Sequence, residues 1–388
     1  MPTPSGLPIN PTQAQKTNIT NTALTALPPP VFTGLKLNQD IILNDFTFNC
    51  IDDYGVLWVI TDIKGWWNPP APEMPDIKRG WDDGIYDVKG RFNARELTLE
   101  GSILVSTPSM MPDARRRLVK AITLVRAGAW LKTNESPTKA SYVRLSGEPN
   151  FETVNARGRV DFSIGLRAAD PIKYSWNSGD PDGYTTVAIP AKSTSPSRSG
   201  LATATNVGDY PVSCYISVLG PITGPANIVN TTTNESITIV GSLRGATTKT
   251  VNTKAISNSL ATIGTTTAHG LALGDTVTIS GMGAPYDGEQ VVDGLPTTTS
   301  FQFVVSASNV SQTSATGTVT YGPDLLEIDT YNRDVFLNGE FTNARLKLEV
   351  YNDWIKLQPG ANALSFYDNG NTNSTASLTV DFRSGWLA

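Results

Sequence analysis

A chain of 388 residues that holds one histidine and two cysteines leaves few ways to build a reactive centre. His269 lies in Thr266-Thr267-Ala268-His269-Gly270-Leu271, ahead of Gly274-Asp275, and would have to serve any imidazole-dependent triad or zinc site alone. No serine nucleophile elbow or second metal-ligand pattern accompanies it, so it reads as a turn residue bonding the local backbone. Cys50 and Cys214 stand far apart and read as two isolated buried thiols rather than a disulfide.

Trp66-Trp67 and Trp81-Asp82-Asp83 pair aromatics with carboxylates, as a sugar-cleaving cleft would. Glycoside hydrolysis needs two carboxyl groups at a set separation across the substrate, which neighbouring side chains on one loop do not supply. Asp83-Gly84 reads instead as a turn, with the tryptophans packed within a domain or against a partner. Asp180-Pro181-Asp182-Gly183 has the Asp-x-Asp-Gly core of a calcium loop but lacks the downstream bidentate Glu, so a plain turn is expected. Sequons at Asn18, Asn134, Asn230, Asn234, Asn309 and Asn373 fit chance in a chain rich in Asn and Thr. No glycine-rich phosphate loop is present. The expectation is no catalytic, cofactor-binding or metal-ligating residues, and no enzyme.

Composition narrows the class. Charged residues make up 17% and the formal net charge is −5, which argues against gripping nucleic acid phosphates. No apolar run approaches the length of a membrane span, and Met1-Pro2-Thr3-Pro4-Ser5-Gly6 has neither the basic segment nor the apolar core of a secretory signal. The 8 Trp, 12 Tyr and 12 Phe require burial, which excludes disorder over most of the chain.

The elements that must position these residues are mostly strands. Residues 1–30, ending in Pro28-Pro29-Pro30, read as an extended arm. From Val31 the pattern alternates: Leu35/Leu37, Phe46/Phe48/Cys50, Leu97/Leu99 and Val160/Phe162/Ile164/Leu166 each mark a strand with one buried face. One helix is expected from Pro112-Asp113, with Ser109 or Met111 near the cap, Leu118, Ala121, Ile122 and Val125 inward, and Gly128 closing it. Arg115-Arg116-Arg117 with Lys120 reads as its solvated side. A first domain, 31–175, ends near Ala169-Asp170-Pro171, and turn-rich residues follow from Asn177 to Gly200, with one strand from Tyr184 to Ile189. A second domain, 176–388, includes Leu346/Leu348/Val350 and Leu378/Val380/Phe382 as strands, with Asp368-Asn369-Gly370-Asn371 as a tight hairpin turn. Val251–Tyr321, rich in Thr, Ser and Gly, reads as an inserted small β-sandwich with strands at Thr276–Ser280, Ser300–Val305 and Gly317–Tyr321.

One succession of residues is specific. Leu326-Glu327-Ile328-Asp329-Thr330-Tyr331-Asn332-Arg333-Asp334-Val335-Phe336-Leu337-Asn338-Gly339 precedes Trp354-Ile355-Lys356-Leu357-Gln358-Pro359-Gly360-Ala361-Asn362, and Arg383-Ser384-Gly385-Trp386 follows a last strand. This order resembles the distal tail protein family of long, non-contractile phage tails. Tyr86 to Gly101, Ala168 to Tyr174 and Asn206 to Pro221 resemble the same family's first-domain strand, domain exit and second-domain start. The 30-residue arm and the 251–321 module are additions to its simplest pattern, the latter resembling small β-sandwich modules of tail and fibre proteins through His269, Gly270, Leu271, Gly274, Asp275, Val277, Ile279, Gly281, Tyr286 and Gly288.

The resemblance implies a mainly β chain: a tube-like β-sandwich with one helix, then a galectin-like β-sandwich carrying an inserted Ig-like β-sandwich module. It implies a structural virion protein at the tail tip, assembled in the host cytoplasm as a six-copy ring between the tail tube protein and a tail-associated hub protein. DNA would pass its lumen without specific binding, and no membrane insertion is expected. The alternative is a module that binds host-surface carbohydrate.

Overall fold

The computed structural model describes residues 36–75, 77–155, 158–190, 192–193, 200–341, 344–368 and 375–388. The expected arm at 1–30 and the turn at Asn369-Gly370-Asn371 lie outside the described residues. The chain is mainly β with many antiparallel sheets, and Met111–Val125 is the one α-helix among the described residues.

Three hydrophobic clusters organise it, with no residue in common. The first lies within a ten-stranded sheet that runs from Asn150–Asn155 through Arg159–Ala168, Arg95–Leu104 and Leu57–Lys64 to Ala129–Thr133 and Lys139–Leu145. Arg144 and Leu145 also pair with Arg167 and Leu166, so the sheet curls back on itself. Leu97, Leu99, Val160, Phe162, Ile164 and Leu166 are all buried, as their alternation requires. The strand Phe46–Ile51 departs from strict alternation: Asn49 is buried between Phe48 and Cys50, takes φ 58°, and its Oδ1 accepts the Ile60 amide at 2.8 Å.

The helix covers this core with Ala114, Leu118, Ile122 and Val125. Its cap differs from the sequence expectation. A 3₁₀ turn over Pro108–Met110 leads in, Met110 occupies the cap position, and no side chain bonds the first amides. Gly128 closes the helix at φ 110°, where a Cβ would meet the Tyr142 hydroxyl at 2.2 Å. The basic run is also divided rather than uniformly solvated. Arg116 pairs with Asp113 at the surface, whereas Arg117 pairs with the buried Asp52 and lies 4.5 Å over the Tyr54 ring.

The second cluster fills the space between two sheets. One contains Thr185–Pro190, Ser377–Phe382, Val212–Leu219, Leu325–Asp329 and Asp334–Leu337; the other contains Gly360–Asp368, Ala226–Asn230, Glu235–Ile239 and Gly200–Asn206. Leu378, Val380 and Phe382 point inward as expected. Leu346, Leu348 and Val350 do not form a strand. Ala344–Lys347 is a 3₁₀ turn, Leu348 alone is buried, and Leu346 and Val350 are 74% and 78% exposed. The segment meets the neighbouring edge in one bridge only, Leu348 with Ile239, and side chains complete the edge: the Thr238 amide donates to Asn352 Oδ1 at 2.7 Å and the Ser236 amide to Asp353 Oδ2 at 3.0 Å.

The third cluster is spliced between the strands Glu235–Ile239 and Leu325–Asp329 and contains Ile256, Ile263, Val277, Ile279, Phe301, Phe303 and Val319. Thr276–Ser280, Ser300–Val304 and Thr318–Tyr321 are strands there. The chain enters and leaves this module side by side, with Thr247 opposite Tyr321 in antiparallel register.

Candidate functional site

Several buried or half-buried cations lie at seams where separate sheets and segments meet. At the first seam Arg95, only 2% exposed, is ringed by backbone carbonyls. Its Nε donates to Pro171 O at 2.9 Å, Nη1 to Gly65 O at 3.0 Å and Asn68 O at 2.6 Å, and Nη2 to Leu387 O at 2.6 Å. Beside it Lys173 donates to Trp66 O at 3.1 Å and lies 4.9 Å over the Trp66 ring; burial pulls its ammonium down to about 8. Trp66 Nε1 in turn donates to Glu135 Oε1 at 2.6 Å. Burial opposes the Glu135 charge, but bonds from Trp66, Thr133 and Lys139 hold the carboxyl below its usual range.

A second seam holds Arg383 among aromatic rings, 3.8 Å from Tyr184, 4.6 Å from Trp130 and 5.7 Å from Trp176. Its Nε also donates to Asp182 O at 3.0 Å. Arg244 occupies the third seam, between the inserted module and the second core. It bonds Asp275 Oδ1 at 3.0 Å through Nη2, Asp324 Oδ1 at 2.7 Å through the same nitrogen, and Gly270 O at 3.0 Å through Nη1. Burial opposes the Asp324 charge, yet the Arg244 side chain and amide with Asn338 hold its carboxyl low.

The residues singled out in the sequence are not brought together. Trp66 is buried in the first core, Trp67 is 55% exposed, and Trp81 is fully exposed at a hairpin tip with Asp82 and Asp83, a turn closed by the Arg79 amide on Gly84 O at 3.2 Å. Asp180 Oδ1 accepts the amides of Asp182 at 2.9 Å and Tyr184 at 3.1 Å, which occupies the supposed calcium loop with its own backbone. His269 accepts the Leu271 amide at Nδ1 at 2.9 Å, so Nε2 carries the proton and donates to Thr297 O at 3.0 Å. Cys50 and Cys214 are buried thiols outside any disulfide, and burial pushes the Cys214 thiol up to about 12. Asn230 is fully buried, bonded to Asn362 Oδ1 at 3.2 Å. Among the described residues no group of three or more His, Cys, Asp or Glu could hold a metal ion, and no helix is long and apolar enough to cross a membrane.

Sequence reasoning assigned no role to Arg95, Lys173, Arg244 or Arg383, although all but Arg244 stand in the runs that carry the resemblance. Each is a single cation whose partners are carbonyls, rings or acids far away in the chain, and no spacing rule marks such a residue. It also missed a concavity of about 70 Å³ between the second core and the 173–184 segment, lined by Tyr174, Tyr184, Tyr215, Tyr331, Asp329 and Asp381. Burial raises the Asp381 carboxyl, and Thr186 Oγ1 lies 2.5 Å from it.

These seams hold sheets to one another, and their arrangement is architectural. Residues 294–386 match the siphovirus-type tail component family over its C-terminal domain. The tail-component match begins inside the inserted module and runs through Gly385-Trp386, the short strand that pairs with Tyr174 and Lys173. Solved structures similar to the chain include the Dit (gp 19.1) protein of phage SPP1, described as a paradigm of the hub adsorption apparatus of phages infecting Gram-positive bacteria. It is 13% identical, with 89% of this chain and 98% of that chain covered and a TM-score of 0.41. The phage P2 baseplate in its activated conformation with calcium is 6% identical, over 89% of this chain and 98% of that chain, with a TM-score of 0.35. No curated protein matches the sequence.

Proposed function

We propose that this chain is a structural distal tail protein that forms a six-copy ring joining the tail tube to the tail tip. The observation that carries the reading is the match of residues 294–386 to the siphovirus-type tail component. The division into a ring-forming domain at 31–175, a galectin-like sandwich at 176–388 and an inserted module at 251–321 is part of the proposal; it is supported by three clusters that share no residue. A ring suits the first sheet because identical copies satisfy strand edges that would otherwise recruit unwanted partners. The partners are the tail tube protein and a hub protein, the lumen passes DNA without specific contacts, and no catalysis is assigned. Light scattering of the purified chain, alone and with its tube protein, together with negative-stain images of tails, tests the reading. A chain that stays monomeric and is absent from the tail tip contradicts it.

A second reading, binding of host-surface carbohydrate, draws on the concavity where Tyr184, Tyr215 and Tyr331 stand beside Asp329 and Asp381. Aromatic faces and carboxylate acceptors are the groups that recognise sugar rings and hydroxyls. A glycan array on the purified chain, repeated with Tyr331→Ala, separates the two: binding lost in that variant supports recognition, and no binding removes it.

A further inference from the structure

The hairpin that connects Leu57–Lys64 to Arg95–Leu104 lacks a core of its own. Its short pairings, Pro72–Glu73 with Arg91–Phe92 and Ile77–Lys78 with Ile85–Tyr86, leave Met74, Ile77, Tyr86 and Trp81 exposed at 70%, 50%, 55% and 101%. An isolated two-stranded ribbon is marginal in water, and exposed large apolar side chains clustered on one marks a contact surface. At the opposite end of the same strands, beside Leu104 and Val105, a groove of about 420 Å³ opens between the start of the helix and the strand Arg159–Ala168. Its apolar lining is Pro108, Met111, Pro112 and Val160, and its polar lining includes Arg115 and Arg159. Arg159 is engaged by Asp161 at 2.9 Å, but the buried Nε of Arg115 has no hydrogen-bond partner among the described residues, its Nη2 alone reaching Thr153 Oγ1 at 2.5 Å.

We propose that the Trp81 tip of one copy seats in this groove on a second copy. The indole supplies roughly 150–250 Å² of apolar surface for Met111, Pro112 and Val160 to cover. The adjacent Asp82 or Asp83 carboxylate supplies a counter-charge to the Arg115 guanidinium in the groove lining. The base of the hairpin and the groove sit at opposite ends of strands of eight to ten residues, about 26–33 Å apart at ~3.3 Å per residue, so the tip of one copy and the groove of the next meet head to tail. A contact of that kind is heterologous and repeats from copy to copy until it closes a ring or extends a stack. The inference rests on the ring reading for the existence of an assembly and adds the contact that makes it.

The test uses the full chain in two variants, Gly80→Cys and Asp113→Cys, which keep the Trp81 indole and the groove lining, mixed and oxidised; the native Cys50 and Cys214 are buried and stay out of the reaction. Both substitutions lie at exposed positions, and unchanged thermal midpoints establish that the variants fold. A disulfide-linked dimer is expected in the mixture and in neither variant alone. Adding Asp82→Lys with Asp83→Lys lowers its yield at least ten-fold, and Arg115→Glu on the other copy restores it. Oligomers seen by light scattering without the cross-link overturn the contact while leaving the ring reading intact. A chain that stays monomeric even with the tail tube protein overturns both.

Discussion

Arg95 and Leu387 stand 292 positions apart in sequence, and the guanidinium of the first donates to the carbonyl of the second at 2.6 Å. That bond, with those to Gly65, Asn68 and Pro171, ties the return of residues 385–387 to the first sheet. The acceptors are neutral carbonyls, so burial pulls the Arg95 guanidinium below its ordinary value and Asp170 only partly offsets this.

Replacing Arg95 by Met strands several buried carbonyls at once. Chemical denaturation is expected to show a loss of about 3–5 kcal/mol, with Arg95→Lys recovering less than half because one ammonium cannot reproduce the planar fork.

Lys173 makes stability pH-dependent. Its ammonium is held near 8 in the fold and near 10.5 once exposed, so between those values the unfolded chain binds the extra proton. Stability contributed by this group therefore rises as pH increases from about 8 to about 10.5, by up to roughly 3 kcal/mol, and is flat below 8. Denaturation at pH 7.5, 8.5 and 9.5 should show the rise in the native chain and a smaller one in Lys173→Met. Equal slopes in the two would show that other groups govern this range.

Arg244→Ala leaves Asp324 buried without its cation and releases Asp275 on the inserted module. The expected loss is about 2–4 kcal/mol, and proteolysis should find new cuts beside residues 244 and 322–324 before the rest of the chain. Arg244→Lys should restore only part of the protection.

Deleting Thr247–Tyr321, which adds the four residues before Val251 that pair with the module's last strand, and bridging the gap should leave the second core folded, because the module's cluster contains none of that core's residues and Thr247 and Tyr321 lie side by side. Circular dichroism and light scattering against the full chain check this; loss of assembly would show that the module belongs to the contact surface.

Local pattern was enough wherever a side chain's environment repeats with the period of its own element. The strand Arg159–Ala168 shows four apolar residues at period two, the helix three or four at helical spacing, and the module strand Thr276–Ser280 was legible to the residue. The same rule misled at Leu346, Leu348 and Val350. Their alternation is that of a strand, but only Lys347–Glu349 meets the neighbouring edge, in a single bridge of Leu348 to Ile239, and Asn352 and Asp353 cap the amides of Thr238 and Ser236. Trp66 and Trp81 have one residue type and opposite fates: the first is enclosed beneath Lys173, the second stands free in water.

Composition, period and turn residues thus suffice for a mainly β chain, since these depend on neighbours a few positions away. The seams are another matter. Arg95, Lys173, Arg244 and Arg383 meet partners that chain closure alone brings near, across separations of up to 292 residues; burial pulls Arg95, Lys173 and Arg383 down, whereas Asp275 and Asp324 hold Arg244 up. A cation's partners are a property of the fold, because a Coulomb or hydrogen-bond energy depends on distance in space and on the water excluded around it.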